Sequence, residues 1–445
     1  MSANNRPQSM ALAVVVANGD ERRLLMGTDG ALSTVRLVSQ PFDSGWREAI
    51  DVNRAVREQI GLHCTLLRWL DMGQDPSTGE QTGVVLVESH DPEWTPGGNL
   101  TMAAPDASVE AVLKGRYPTA DGEAIPWTQT GWFREASEWM CAQLEEIGLG
   151  IEGEVEQMRA WFLSCILRVE TTGGPYYLKA VPPLFRHEPA LTLDLSTRHA
   201  GFVPDVAAVD VERRWTLMRH VPGVKLIQHP DKPRYLPRWE AILRRYAQVQ
   251  KEYARRVDDL LAMGCFDYRL DGLYSDVEAL FAEITQLLEG TGRLSAEQID
   301  TLRGYLPRLR AMRDTLAGSG LPATLHHGDF HSGNILCDQD CVVLDWSGHV
   351  GVAHPFLFLS VVSEEHTDEE VLDRLIEVYL SEWADYGSPD VLKEYARMGI
   401  VLGWLAGAVG HSRQIAMGDV AWDREQEQGN LEYCLQALLR LLGPG

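Results

Sequence analysis

The stretch Leu325-His326-His327-Gly328-Asp329-Phe330-His331-Ser332-Gly333-Asn334-Ile335-Leu336 is followed closely by Val342-Val343-Leu344-Asp345-Trp346. The first part reads as a tight polar loop, the second as an apolar strand that ends in a carboxylate. Asp329, Asn334 and Asp345 can meet at the mouth of such a loop. That set suits phosphoryl transfer, which needs a carboxylate near the attacking hydroxyl and oxygen ligands for the Mg²⁺ that bridges the phosphates. Mg²⁺ is a hard cation, so carboxylate and amide oxygens are suitable ligands and imidazole is not.

The block resembles the catalytic core of the aminoglycoside phosphotransferase and choline kinase group, a branch of the protein-kinase-like fold. Those enzymes carry a His-Gly-Asp, an Asn five residues beyond the Asp, and an Ile-Asp or Leu-Asp strand end. The resemblance implies that Asp329 orients or deprotonates an acceptor hydroxyl, that Asn334 and Asp345 hold the metal, and that His327 supports the loop. A polar turn before a strand is the plain alternative. Several residue types matching at fixed offsets argue against it.

Upstream, Phe162 to Val169 reads as a strand, Thr171-Thr172-Gly173-Gly174-Pro175 as a turn, and Tyr176 to Val181 as a second strand with Lys179 near its end. A lysine there suits a point-charge contact to the α- and β-phosphates of ATP. Its expected ion-pair partner is Glu188, at the entry to a helix over Pro189 to Leu195, where proline is favourable as a first residue. Trp215 to Gly223 resembles the family's linker between lobes. Backbone groups around Met218 to His220 would then meet the adenine edge.

Two departures from the family pattern are visible. The loop Met158 to Ser164 has no glycine, whereas protein kinases use glycines there to bring backbone N–H groups onto phosphates. The Ser164 hydroxyl is the substitute donor. Phe358 stands where the family usually has an Asp that braces the catalytic loop. The apolar residue is expected to leave loop N–H groups unpaired, at about 1–3 kcal/mol if they are buried.

These residues need elements to hold them. Leu236 to Leu316 reads as helical, with a long amphipathic stretch from Trp239 to Met263. Ser275-Asp276-Val277-Glu278 and Ser295-Ala296-Glu297-Gln298 read as capping boxes that open the next two helices. Thr367-Asp368-Glu369-Glu370 and Ser388-Pro389 open two more, and a last helix ends near Leu442. Glu364, Glu365 and Asp368 could form an acidic rim for an amine, but the plainer reading is the acidic bias of a helix N-terminus.

The first hundred residues read as strands with one helix. Ala11 to Val16 and Arg23 to Met26 form a hairpin around Asn18-Gly19-Asp20. Val35 to Val38 is a third strand, Trp46 to Ile60 a helix that stops at Gly61, and Leu66 to Met72 and Gly83 to Val87 further strands. This order and the helix end Arg54-Ala55-Val56-Arg57-Glu58-Gln59-Ile60-Gly61-Leu62 weakly resemble a degenerate Nudix domain. Ala55 and Gln59 replace two acidic residues of the Nudix box, and Gln40 and Trp46 stand at its upstream Gly and Glu offsets. Glu58 alone cannot hold a divalent metal, so a non-catalytic scaffold is expected. Asp106 to Glu123 reads as a polar linker. The helix from about Gly131 to Ile147, with Trp132, Ala136, Trp139, Met140 and Leu144 near one face, reads as the surface that packs the first domain onto the second.

The bulk numbers agree with a chain of more than one core: 445 residues, 45% hydrophobic and 23% charged. The formal net charge of −24 argues against nucleic-acid and anionic-membrane partners, which require a basic footprint. No apolar run reaches the length of a membrane span, and no signal peptide is evident. The seven cysteines are scattered, and free buried thiols in a reducing cytoplasm are expected.

The expected architecture is α+β. Residues 1–122 form a small α/β domain, and 123–149 a linker and amphipathic helix. Residues 150–222 form a kinase-like β-rich nucleotide lobe with its hinge, and 223–445 a helical lobe with the catalytic loop. The expected activity is ATP- and Mg²⁺-dependent transfer of a phosphoryl group to a hydroxyl of a small molecule, an aminoglycoside-like compound or another amine or sugar. A pseudokinase or nucleotide sensor, motivated by Phe358 and the glycine-free loop, is one alternative. A bifunctional protein with an N-terminal diphosphate hydrolase is another.

Overall fold

The computed structural model describes residues 8–39, 48–105, 107–114, 124–228, 232–289, 291–415, 417 and 421–443. Gln40, Trp46 and most of the expected linker, 106 and 115–123, lie outside the described residues. The chain divides into two compact units. One holds Met1–Leu184, Glu212–Arg219 and Ala416–Arg424; the other holds Phe185–Val211, His220–Ile415 and Glu425–Gly445.

The first unit contains two sheets. In one, the strands run in the order Cys64–Gln74, Gln81–Ser89, Gln8–Asn18, Glu21–Gly27, Leu100–Ala103, with Thr34–Ser39 also paired to Gln8–Asn18. The expected hairpin forms with Asn18 opposite Glu21, so Gly19-Asp20 is a two-residue turn. Gln8–Asn18 and Gln81–Ser89 run parallel, which buries both faces of the central strand and explains its near-continuous apolar run. The helix Ala49–Ile60 buries Ala49, Val52, Ala55 and Val56 and ends at the left-handed Gly61. Glu58 is exposed. Within the expected linker, Ala107–Lys114 is a helix instead.

The second sheet of this unit has Trp215–Arg219, Tyr176–Ala180, Ser164–Thr171 and Ile151–Trp161 as antiparallel neighbours. Two expectations are corrected here. Met158 to Trp161 is strand rather than loop, and Phe162-Leu163 is a two-residue turn closed by the Trp161–Ser164 pair. Phe162 anchors the turn by burying its ring, and neither residue takes a positive φ. No glycine is required there. Gln157, buried in this sheet, accepts the Leu66 N–H and donates to the Leu66 carbonyl, both at 2.8 Å. It acts as a backbone surrogate beside the irregularity between Leu66 and Arg68. The helix Trp132–Glu146 buries Trp132, Ala136, Met140 and Leu144. Its Trp132 and Trp139 meet Trp215 edge-on at 6.1 and 5.4 Å, while the Gly131 N–H donates to Glu88 at 2.7 Å. The aromatic stripe thus packs on the second sheet and adjoins the first.

The second unit is largely helical. The stretch expected as one helix is two, Lys232–Tyr253 and Val257–Met263. The Ser295 capping box is present in full. The Ser275 box is not: that helix spans Leu270–Leu287, so Ser275 sits inside it and its hydroxyl turns back to the Asp271 carbonyl at 3.5 Å. Asp368, not Thr367, caps Glu369–Ser381 by accepting from Glu370 and Val371 N–H. Two three-stranded sheets hold the loops of interest. One is Val224–Lys225, Ile335–Cys337, Cys341–Val343; the other is Phe266–Tyr268, Gly351–Ala353, Thr324–His326. No helix among the described residues is long and apolar enough to cross a membrane.

Candidate active site

The strand Thr324–His326 is antiparallel to Gly351–Ala353 and delivers the chain into the polar loop. Gly328 has φ +74°, and a Cβ there would lie 2.4 Å from both Cβ and the carbonyl oxygen of His349. Only glycine satisfies both constraints. His327 is fully buried. Its Nε2–H donates to the Leu344 carbonyl at 2.9 Å, and its Nδ1 accepts the Asp329 N–H at 3.3 Å. This pattern requires the neutral ring, and burial lowers its pKa, outweighing the hydrogen bond to Leu344 and the charge of Asp329. His327 therefore ties the polar loop to the strand that ends at Asp345.

Asp329 keeps about half of its side chain exposed, 47%. Enclosure by protein atoms acts to raise its pKa, but a hydrogen bond from His331 and the nearby imidazoles outweigh it. The carboxyl is held well below its usual range. The reciprocal shift appears in His331, where Asp329 raises the pKa against the effect of burial.

Asn334 ends the short turn Ser332–Asn334. Its Nδ2 donates to the Asp329 carbonyl at 3.0 Å and to Asp329 Oδ2 at 2.8 Å. The amide oxygen is thereby turned to the opposite side. The Leu344 N–H donates to the Asn334 carbonyl at 2.8 Å, one residue before Asp345. Asp345 is exposed and takes φ +60°, one of two non-glycine residues with positive φ among those described. The Ser347 hydroxyl donates to its Oδ1, and His187 Nε2 bonds the Ser347 carbonyl at 3.0 Å. The Asn334 amide oxygen and the Asp345 carboxylate make a hard, all-oxygen donor pair, which fits Mg²⁺ completed by phosphate and water. Among the described residues no cluster of three or more His, Cys, Asp or Glu side chains is disposed to hold a metal.

Phe358 does not leave the loop unsupported. It is buried against Tyr246, Phe330 and Tyr379, with ring centroids 4.9, 5.5 and 4.8 Å apart. The His327 N–H, the group at risk, donates to the Tyr246 hydroxyl at 2.9 Å. This donor is paired, because a tyrosine on Lys232–Tyr253 supplies its acceptor. No local spacing in the sequence marks Tyr246, since it precedes the loop by more than seventy residues.

Sequence reasoning also misjudged Glu365. It ends the helix Leu359–Glu365 rather than starting one. Its carboxylate accepts the Ser332 N–H at 2.8 Å, the Ser332 hydroxyl, and the Tyr235 hydroxyl at 2.7 Å. Glu365 thus grips the turn that carries Asn334.

The cysteine expectation is corrected in part. Cys337 and Cys341 face each other in the hairpin Ile335–Cys337/Cys341–Val343 and form a disulfide. Direct opposition across a three-residue tip brings the two Cα atoms to 4.2 Å. The other five are free thiols.

Asp329, His327, Asn334 and Asp345 all lie in the second unit, joined by the bonds above. Glu188, the first residue of Glu188–Arg198, and the exposed His220 lie there too. Lys179, Met218 and Ser164 lie in the first unit. Lys179 is buried in the strand between Ile166 and Thr216, and neither it nor Glu188 is unpartnered. Met218 is half-buried opposite Tyr177. The buried Ser164 oxygen accepts the Trp161 indole N–H at 2.8 Å.

A model of the phosphotransferase enzyme family matches residues 166–395, more than half of the chain. The chain belongs to this family and is a small-molecule kinase. Among solved structures, it is similar to a choline/ethanolamine kinase family protein from Mesorhizobium loti. That match has 18% identity and a TM-score of 0.47, covering 69% of this chain and 94% of that one. It is also similar to a choline kinase from Streptococcus pneumoniae, with 14% identity, a TM-score of 0.45, and 67% and 98% covered. A macrolide 2'-phosphotransferase matches with 14% identity, a TM-score of 0.44, and 69% and 97% covered. No curated protein matches the chain.

Proposed function

We propose that the chain transfers the γ-phosphoryl group of ATP to a hydroxyl of a small molecule bearing amine or sugar groups, and that it works in the cytoplasm. The observation that carries this reading is the linkage of Asp329, Asn334 and the Asp345 strand end through direct hydrogen bonds. Asp329 accepts or orients the proton of the acceptor hydroxyl. Its depressed pKa keeps it anionic at neutral pH, so it serves by positioning and by receiving the proton late rather than as a strong base. Asn334, through its amide oxygen, and Asp345 would hold Mg²⁺, which when bound neutralises charge between the β- and γ-phosphates. Lys179 serves the phosphates, and Glu188 is assigned to the nucleotide site. Backbone groups at Met218 and His220 meet the adenine edge, and Ser164 lies at the phosphate turn. His327 supports the loop throughout.

On this reading residues 1–122 are a non-catalytic, Nudix-like domain, 123–149 a connecting segment, 150–222 the nucleotide lobe and hinge, and 223–445 the helical lobe. The loop's bracing by Tyr246 favours turnover over nucleotide sensing alone. The test is coupled ADP release with Mg²⁺ across a panel of aminoglycosides, hydroxyl-bearing amines and sugars, beside Asp329→Ala. Acceptor-dependent release that vanishes in the variant supports the reading. ATP binding with no acceptor-dependent release anywhere in the panel counts against it.

A further inference from the structure

We propose that the Tyr246 hydroxyl is the positioning group of the catalytic loop, standing in for a carboxylate at position 358. The inference rests on the reading of Asp329 as the residue that handles the acceptor hydroxyl.

Tyr246 is fully buried on Lys232–Tyr253. Its hydroxyl accepts the His327 N–H at 2.9 Å and donates to the Leu325 carbonyl at 3.2 Å. One group thus bridges the middle residue of the strand Thr324–His326 and the first residue of the loop. Its ring stacks on Phe330 with centroids 4.6 Å apart and planes 16° apart. The segment 325–330 is therefore held on both sides of Asp329, by hydrogen bonds before it and by ring contact after it. One helical turn on, Gln250 Nε2 donates to the same Leu325 carbonyl at 3.0 Å, and Gln250 Oε1 accepts from the Tyr379 hydroxyl at 2.6 Å. The bracing chain is buried, which suits a rigid mount for a reacting group. Position 358 cannot supply a polar brace, because Phe358 fills the space among Tyr246, Phe330 and Tyr379 with an apolar ring.

The experiment uses the full chain and measures Mg·ATP turnover together with amide hydrogen exchange at His327. Tyr246→Phe keeps the ring and removes the bridge. It is expected to lower kcat about tenfold, the equivalent of one net hydrogen bond, with the KM for ATP unchanged. The His327 amide should exchange faster. Tyr253→Phe is the control: it removes an equally buried tyrosine hydroxyl on the same helix, one that bonds Asp194 at 2.6 Å and not the loop. It should leave kcat and His327 exchange as in the parent. Restoration of kcat by adding Phe358→Asp to Tyr246→Phe would support the exchange of roles directly. A folded Tyr246→Phe protein with parental kcat overturns the proposal, as does an equal loss in Tyr253→Phe. Should Tyr246→Phe not fold, exchange in the parent decides: a His327 amide protected like the helix core supports the bridge, and fast exchange overturns it. Turnover that survives Asp329→Ala would remove the active-site reading, while His327 exchange would still judge the brace.

Discussion

Replacing Glu365 by alanine should weaken the site for the proposed cation rather than for the proposed nucleotide. Glu365 contacts no proposed ligand of the metal. It holds Ser332 by the backbone N–H and the hydroxyl, and Ser332 begins the turn that ends at Asn334. Ser332 is fully buried, so its N–H has no ready substitute acceptor once the carboxylate is gone. A buried donor left without a partner costs about 1–3 kcal/mol. The turn can recover part of this by shifting toward another acceptor or water, which moves Asn334. If about 1.4 kcal/mol of the cost appears as a poorer Asn334 position, cation affinity falls about tenfold. The assay is ATP turnover against Mg²⁺ concentration at saturating ATP. Glu365→Ala should raise the half-saturating Mg²⁺ about tenfold, with kcat largely recovered at high Mg²⁺. Glu365→Gln keeps one acceptor oxygen and should fall between. A folded Glu365→Ala protein with parental Mg²⁺ dependence would refute the coupling of Glu365 to Asn334.

Three further outcomes are expected. Asp329→Asn should lower kcat by about 10²–10⁴-fold, the span of general acid–base contributions, while ATP binding by calorimetry persists. His411 lies 2.8 Å from Glu427. Burial opposes its charge, but Cys434 and Glu427 raise its pKa to about 10. A raised folded-state pKa contributes stability that is complete below the ordinary value near 6.5 and fades as pH climbs through the folded value. The Tm advantage of the parent over His411→Gln should therefore be largest near pH 6 and shrink toward pH 10. Finally, thiol titration of the denatured, unreduced chain should find five reactive cysteines, and Cys337→Ser with Cys341→Ser should cost about 2 kcal/mol by loop-closure entropy for so short a loop.

The candidate block was legible because its residues are local: His327, Asp329, Asn334 and Asp345 sit within one short stretch, and the structure joins that loop to the strand end by hydrogen bonds. The hairpin at Gly19-Asp20 and the helix stop at Gly61 were legible for the same reason. What escaped depends on distant partners. Tyr246 reads as one more apolar residue of an amphipathic helix until the fold places its hydroxyl under His327. Glu365 looks like helix-start acidity until Leu359–Glu365 is seen to end there. The Ser275 box failed because Leu270 to Tyr274 were helical already, and a serine inside a helix can bond backward instead of capping. Phe162 was assigned to a strand on hydrophobicity, although a buried turn residue carries the same signal.

The two residues assigned to the cation stand at the base of one hairpin, one on each arm, and a disulfide closes the same hairpin near its tip. The bite of the pair is therefore set first by a ladder a few rungs long, which Glu365 steadies from outside at the Asn334 end. Residues 338–340 beyond the cystine are exposed and sit at the far end of that ladder. Insertions there should be absorbed without respacing Asn334 and Asp345. Deletion of a single residue between either ligand and its cysteine should slip the register and turn one donor to the wrong face. Length variation in relatives of this chain is accordingly expected at the tip, and length constancy on the two arms.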